Sequence, residues 1–501
     1  MRRLAILLRS LIARDESDAR MNTGTGWIAA ALAIIAMLWP AGATSAGTGF
    51  AESGDQATHT LLTVLYDGAG AWRECNVAGC RTATSDWGVD AQTYTLALRW
   101  KSTGDPAVPP VLAALAQRAP RYAAPCAIAS RCPAWSDTPS WDAIALIREY
   151  EATRMPAALD GAKAAIRYVG RSTAFYGGAC PSITYQLPHT GTSNVKSLET
   201  EANLIKAEML VYRATGDPAY LRDAQQRYDA ARAAYMDPDV PLYTVHATDD
   251  GTHCVPTAHR FFASVNGDMI WNGLALAGAT GATRYAGQAR ATAHAVDDHL
   301  GDDRGVFVDA GGENDVVEPL VEAMLGLARQ PAGAFARAWI LRNANAALSA
   351  RGDDGTFARF FDGPAQGRIS AWQGNGGLAL EIAAAALAPG EPVGRDDAWT
   401  HAGIAAPDVA SVPATIPFTG SGIALVGTLS AECQMHHVRV LLDGTETFDR
   451  TGLWKNGSMP GADHSSVVFA WRWRTPGPHT LELVAQSDDA TNVHLQVYTI
   501  P

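Results

Sequence analysis

The chain predicts an all-α double ring of six helical hairpins, an (α/α)6 barrel, followed by a small all-β sandwich. Two observations carry this reading. A polar-then-apolar pattern recurs six times at intervals of roughly 50 to 65 residues. Beyond about residue 414 the hydrophobic period changes from helical to alternating. A single helical hairpin cannot bury its apolar face, so six of them must stack. In a closed ring the first helix of each unit lies inside and the second outside, and all six inner N-termini emerge on one rim.

Taken in order, Trp27 to Gly47 is an apolar segment running into small residues, preceded by Arg2, Arg3, Arg9, Arg14 and Arg20. It reads as an export signal over residues 1–46, with cleavage after Ala43 or Ala46. A retained membrane anchor is the competing reading, and the apolar core falls short of the ~20 residues a span prefers. Residues 47–388 form the barrel. ATHTLLTVLYDGAGAW, from Ala57, is a helix without a hairpin partner. The six units open at Ser85 (SDWGVDAQTYTLALRW), Cys132 (CPAWSDTPSWDAIALIREYEAT), Ser197 (SLETEANLIKAEMLVYRATGDP), Ser264 (SVNGDMIWNGLALAGATG), Glu313 (ENDVVEPLVEAMLGLA) and Ala371 (AWQGNGGLALEIAAAAL). The last has no outer partner of its own, so the helix at Ala57 closes the circle. Loops at 178–194 and 243–261, rich in aromatic, His and amide groups, either shape the ends of a cleft or cover the barrel. Residues 389–414 read as a linker. Residues 415–501 read as a separable sandwich, with strands punctuated by Asp443-Gly444 and Pro476-Gly477-Pro478.

Composition bounds the function. With 47% hydrophobic and 18% charged residues, the chain of 501 residues can bury a large core. The formal net charge of −12 becomes −14 once the five arginines and three acids of residues 1–46 are removed. An acidic chain with no basic stripe excludes nucleic-acid binding. No other long apolar run suggests a transporter or a membrane partner beyond the export signal. Seven cysteines are few for a disulfide scaffold but suit staples outside the cytoplasm. Cys75 with Cys80, Cys126 with Cys132, and Cys180 with Cys254 are plausible pairs, with Cys433 left over. No paired CxxC and no HExxH is present, so neither metal nor cofactor is expected. A monomer is expected.

Chemistry concentrates at the helix starts, where exposed backbone N–H groups favour anions and carboxylates. Asp86, Trp87 and Asp90 open the first unit, and Trp135, Asp137, Trp141 and Asp142 the second. Asn266 and Asp268, Glu313 and Asp315, and Trp372 and Gln373 open later ones. Acids beside indoles suit a sugar cleft, with carboxylates for acid/base or nucleophilic work and aromatic faces for pyranose rings. Asp86 and Asp90 share a helix face, with N-capping the structural alternative for Asp86. Asp137 and Asp142 lie about 140° apart around a continuous helix, so they cannot face one point. Asp137, in the entry turn before Pro139, is the better active carboxylate. Glu318 and Glu322 share a face inside the helix that follows, where they are either solvated or bonded within the barrel. Trp87, Trp141 and Trp372 are either stacking platforms or core wedges. His246, His253 and His259 read as ordinary loop residues.

On the stretches WSDTPSWDAIALIREYEAT, LETEANLIKAEMLVYRATGDPAYL, FFASVNGDMIWNGLALAGATG and ENDVVEPLVEAM, the span from Cys132 to about Leu387 resembles bacterial glycoside hydrolase family 76. That family comprises endo-α-1,6-mannanases and relatives with an (α/α)6 barrel. The resemblance implies a working motif of two adjacent aspartates a few residues before a tryptophan at an inner helix start. Here that position reads Asp137-Thr138, so Asp137 inherits one carboxylate role and the second must come from elsewhere. The last ~85 residues resemble the galactose-binding-like, jelly-roll appendages of carbohydrate enzymes, and sandwiches need about that length.

These readings converge on a secreted or periplasmic bacterial glycosidase that cleaves O-glycosidic bonds of a polysaccharide or oligosaccharide, with an α-mannan as the first substrate. Asp137 and Asp86 or Asp90 would supply the two carboxylates. Trp87, Trp135, Trp141, Asp142, Asn266, Asp268, Glu313, Asp315, Trp372 and Gln373 would line the cleft. Two other classes stay open. A polysaccharide lyase or unsaturated-uronide hydrolase would use the same barrel but needs rim cations, in which these helix starts are poor. A noncatalytic glycan-binding protein would accord with the missing second aspartate.

Overall fold

The computed structural model describes residues 49–77, 79–85, 87–119, 122, 135–171, 178–180, 195–257, 260–308, 316–358, 363–364, 371–391, 393–394, 399–405, 414–429, 436–453, 464–485 and 494–501. The expected export signal lies outside them, as do Asp86, Cys126, Cys132, His259, Glu313, Asp315 and Cys433, and the side chain of Gln373.

Twelve α-helices are described: α1 (Phe50–Thr60), α2 (Trp87–Thr103), α3 (Val108–Arg118), α4 (Asp137–Thr153), α5 (Pro156–Arg171), α6 (Leu198–Thr215), α7 (Pro218–Tyr235), α8 (Ala263–Thr280), α9 (Thr283–His299), α10 (Glu318–Ala328), α11 (Ala334–Ser349) and α12 (Ala371–Leu387). The even-numbered helices pack in sequence, each against the next, and α12 packs back on α2, which closes the inner ring. Each pairs with an outer helix, and α12 takes α1, so the first helix of the fold and the last complete one hairpin. The (α/α)6 reading is therefore what the chain forms. Inner helices are buried nearly all round: α6 buries every residue from Leu198 to Val211, including Glu199, Glu201, Lys206 and Glu208. Outer α7 buries only Ala224, Tyr228, Ala231 and Tyr235, a stripe at helical spacing.

Two local devices set the hairpins. At the end remote from the rim, α2, α4, α6 and α8 stop at a residue in the left-handed region: Gly104 (φ 68°), Arg154 (φ 58°), Gly216 (φ 73°) and Gly281 (φ 73°). The N–H of each bonds back to the carbonyl four residues earlier, at 2.7 to 2.9 Å. After Gly216, Asp217 caps α7 through Ala219 N (2.9 Å), and Pro218 fills the first helical position, where no N–H is missed. At the rim end, α1 (through one π-turn, Leu61–Leu65), α7, α9 and α11 each run into a tight hairpin closed by a bridge to an aromatic residue. These bridges are Tyr66 to Trp72, Met236 to Tyr243, Gly301 to Phe307 and Arg351 to Phe357. Inside each, one aspartate oxygen accepts backbone N–H groups: Asp67 from Ala69 and Ala71, Asp237 from Asp239 and Val240, Asp302 from Arg304 and Val306, and Asp354 from Thr356.

Short strands decorate the rim. β1 (Trp72–Arg73) pairs with β2 (Thr82–Ala83), next to the Cys75–Cys80 disulfide. β3 (Val195–Ser197), β4 (His246–Asp249) and β5 (Cys254–Pro256) form a three-stranded antiparallel sheet at the starts of α6 and α8. The Cys180–Cys254 disulfide ties that sheet to the preceding loop. Both bridges match the cysteine spacing read from the sequence. There Asp249 accepts from Ala179 N, Cys180 N and Gly251 N (2.8 to 2.9 Å), and these donors hold its carboxyl low despite the opposing effect of burial.

The C-terminal sheet is antiparallel and six-stranded: β6 (Thr400–Ala405), β7 (Ala414–Leu429), β8 (His436–Leu442), β9 (Thr445–Leu453), β10 (His464–Ala485) and β11 (His494–Ile500), in the order β6-β11-β7-β10-β8-β9. It takes in Thr400–Ala405, within the stretch read as a linker. Its two faces are distinct. Ile423, Leu425, Phe469 and Leu481 belong to the sheet's own core, whereas Ala424, Val426, Val467 and Ala470 pack on Val308 and Ala358 of the barrel. A register shift between Val467 and Phe469 explains how residues two apart reach opposite faces.

Candidate active site

The start of α4 carries the leading candidate carboxylate, Asp137. Asp137 occupies its first turn, 5% exposed, with Oδ1 accepting from Thr138 N at 2.9 Å. Pro139 follows, where the missing N–H costs nothing. Ser140 Oγ donates to the Asp137 carbonyl (2.5 Å), and Ser136 Oγ meets Thr200 Oγ1 at 2.9 Å, lashing the starts of α4 and α6 together. Trp135, two residues before Asp137, is 41% exposed, the most open large aromatic side chain among the described residues.

One turn further in, the sequence candidates take different tasks. Trp141 is fully buried; its indole donates to Glu199 Oε1 (3.1 Å) and meets Tyr94 edge-on at 6.4 Å. It is a wedge between inner helices rather than a platform. Asp142, also buried, accepts from Ser85 Oγ and Tyr122 OH, and Tyr122 packs on Tyr168 of outer α5 (5.1 Å). Burial, then the charges of Asp142 and Asp90, push the Tyr122 hydroxyl far up, so it stays a donor. Burial and Asp142 likewise raise Glu149 well above the usual carboxylate range. Asp90 sits in the first turn of α2, 5% exposed. Trp87 and Trp372 lie against each other at 5.1 Å across the α2–α12 junction. Asn375 donates to the Ala91 carbonyl (2.7 Å) and to Thr95 Oγ1 (2.8 Å) at the same seam.

Asn266 is committed to the scaffold. It accepts from Tyr243 N (2.9 Å) and donates to the carbonyls of Tyr243 (3.1 Å) and Phe262 (2.9 Å). Asp268 lies deeper, 1% exposed, with Oδ1 bound by Lys206 Nζ (2.7 Å). With its amide oriented by neighbouring donors and acceptors, Asn203 donates to Asp268 Oδ2 (2.7 Å) and accepts from Trp141 Nε1 (3.2 Å). A line of hydrogen bonds thus runs from the Trp141 indole through Asn203 and Asp268 to Lys206 in the barrel interior.

That interior is ionic. Lys206 also reaches Glu322 (3.0 Å), which is bound by Arg148, Lys101 (3.1 Å) and the Tyr94 hydroxyl. The guanidinium of Arg213 and the ammonium of Lys206 lie over the ring of Trp271 at 4.7 and 5.0 Å. Burial alone would raise Glu322, but Arg148, Lys206 and Lys101 outweigh it and hold the carboxyl well below its ordinary value. For Asp268 burial wins over Lys206, and its carboxyl is raised. The sequence reading missed this network, although charged residues inside Ala/Leu-rich helices were its signal: Arg148, Lys206 and Glu322 each interrupt an apolar run. It also passed over Tyr122 and Asn203 as site partners. Among the described residues, no cluster of three His, Cys, Asp or Glu side chains is arranged to hold a metal ion, and no helix is long and apolar enough to cross a membrane.

No family model and no curated protein matches the chain. Solved structures do. The α-1,6-mannanase GH76A of Salegentibacter sp., solved as an inactive variant with two adjacent aspartates replaced and in complex with an α-1,6-linked mannotetraose, superposes with a TM-score of 0.56 at 19% identity. The match covers 68% of this chain and 99% of that one. A family 76 α-mannanase of Bacteroides thetaiotaomicron matches at 0.55 and 17% identity, over 67% of this chain and 95% of its own. The Lin0763 protein of Listeria innocua matches at 0.54 and 17%, over 67% and 97%. In fold, then, residues from the first helix to the twelfth make an (α/α)6 barrel of the kind found in the family 76 α-1,6-mannanases.

Proposed function

We propose that this protein is a glycoside hydrolase of the family 76 type acting on an α-1,6-linked mannan, with its reaction at the start of α4. One observation carries the reading: Asp137, preceded by the exposed indole of Trp135, stands at an inner helix start of a barrel shared with α-1,6-mannanases. The helix N-terminus favours an ionised carboxylate there, and an indole face beside it suits a pyranose. Thr138 cannot ionise, so the second carboxyl is assigned to the start of α2, where Asp90 lies on the helix that packs against α4. One of the pair acts as general acid on the leaving oxygen, and the other as nucleophile or base.

The test is Asp137→Asn, assayed on α-1,6-mannan oligosaccharides. The amide keeps size and much of the hydrogen bonding but cannot ionise or deliver a proton at neutral pH. Turnover should fall by at least ~10²-fold, with an unchanged circular dichroism spectrum. Asp142→Asn, whose carboxylate is held by Ser85 and Tyr122, should cost much less turnover. Near-normal turnover in the Asp137 variant defeats the assignment. A second reading, a noncatalytic glycan-binding protein, is favoured by Thr138 in place of a second aspartate. Saturable binding of the same oligosaccharides by the wild type, without release of reducing ends, would select it.

A further inference from the structure

We propose that the C-terminal sheet is a positioning element of the barrel mouth, holding the first turns of α10 and α12 in place, rather than an independent appendage. The argument follows a continuous line of contacts. The hairpins after α9 and α11 emerge on the rim side and end at Val308 and Ala358, each 2% exposed. Both are buried against Ala424, Val426, Val467 and Ala470 of the sheet, a close-packed seam of small side chains. Arg474 flanks the seam and donates from its backbone N–H to Asp303 Oδ2 (3.0 Å) and from Nε to the Asp303 carbonyl (2.7 Å), so the sheet grips the first hairpin directly. That hairpin is fastened from the other side by Phe307 N donating to Asn343 Oδ1 (2.8 Å).

From the second hairpin the line continues into the mouth. Phe357, the residue before Ala358, lies so close to α12 that a Cβ on Gly377 would fall 2.3 Å from its ring. One position earlier, a Cβ on Gly376 would fall 2.2 Å from Val317, the residue that precedes Glu318 at the start of α10. Sheet, hairpin, α12 start and α10 start therefore touch in series, with two glycines permitting the contacts. A merely tethered module would present a polar, separable interface. A buried seam of alanines and valines, edged by Trp399, Trp471 and Tyr498, transmits displacement instead.

The test uses the full chain and two variants, Ala470→Glu, which buries a charge in the seam, and Arg474→Ala, an exposed change that leaves both cores intact. Backbone hydrogen exchange at residues 316–322 and 371–377 should quicken at least tenfold in the first variant and several-fold in the second. Exchange at 198–210, on the opposite side of the ring, should be unchanged. Unaltered exchange at both helix starts in either folded variant overturns the proposal. A kinetic arm rests on the glycosidase reading: KM for mannan oligosaccharides should rise more than kcat falls. A wild type inactive on every glycan would defeat that reading alone, because the exchange arm decides this one without activity.

Discussion

At the scale of single residues, two indoles near the start of α4 divide their tasks. The sequence placed Trp135 and Trp141 in the cleft lining, with a core wedge as the alternative for Trp141 only. The fold leaves Trp135 41% exposed and Trp141 fully buried, with its N–H given to Glu199. Helical phase explains the split: Trp135 precedes the helix, whereas Trp141 is four residues past Asp137 and turns with it toward the neighbouring α6. Trp135→Ala should therefore raise KM for mannan oligosaccharides about fivefold, the equivalent of ~1 kcal/mol of lost stacking, without moving the melting temperature. An unchanged KM would remove Trp135 from the site. Asn266 shows the opposite error, a rim amide of the right type whose hydrogen bonds all go to backbone. Nothing in its local sequence distinguishes that use from sugar binding.

At the scale of elements, the hairpin turns at Thr-Gly-Asp-Pro and its relatives are encoded locally, because a left-handed C-terminal residue followed by a capping aspartate and proline is a local instruction. The second hairpin breaks the pattern by placing Arg154, at φ 58°, where its siblings have glycine. A side chain in the left-handed region costs about 1 kcal/mol or more. The Arg154 guanidinium lies 5.5 Å from the Tyr150 ring centroid, a half-exposed contact that offsets only part of this. Arg154→Gly should raise stability by about 1 kcal/mol in chemical denaturation; a loss of stability would show that the ring contact outweighs the strain. The rim hairpins, by contrast, were not recognised as a repeat. Their shared feature is one aspartate and one aromatic at variable spacing, and the bridge that closes each hairpin on its aromatic residue appears only when the chain is folded.

For the whole molecule, the buried carboxyls set opposing pH dependences. Glu208 and Glu381 are pushed up to about 8, both chiefly by burial, Glu208 against the pull of Arg227 and Glu381 against those of Ser53 and Arg351. Between an unfolded value near 4.3 and about 8, the native state holds protons that the unfolded chain has lost. Stability therefore falls as pH rises through that window. Glu322 and Glu151 are lowered by the cations around them, so their contribution is present above the unfolded value and is lost as pH falls below it. The barrel should be most stable in mildly acidic solution. Glu381→Gln, which cannot ionise, should be more stable than wild type at pH 8 by an amount on the order of a few kcal/mol and close to it at pH 5. Parallel melting curves across that range would refute a protonated native Glu381.

What the sequence determined by itself was the repeat: six polar-to-apolar helix starts, their hairpin turns, the switch to alternating strands and the cysteine pairs at Cys75–Cys80 and Cys180–Cys254. All of these depend on periodicity or short spacing, which a linear chain displays. Tertiary structure decided the rest. It alone gathered Arg148, Lys206, Asp268 and Glu322 from four helices into one buried network. It alone laid the small residues of the C-terminal sheet on Val308 and Ala358. Both are contacts between segments some tens to more than a hundred residues apart, fixed by how far each helix is rotated about its own axis when the ring closes. That rotation is set by packing against neighbours and leaves no local pattern to read.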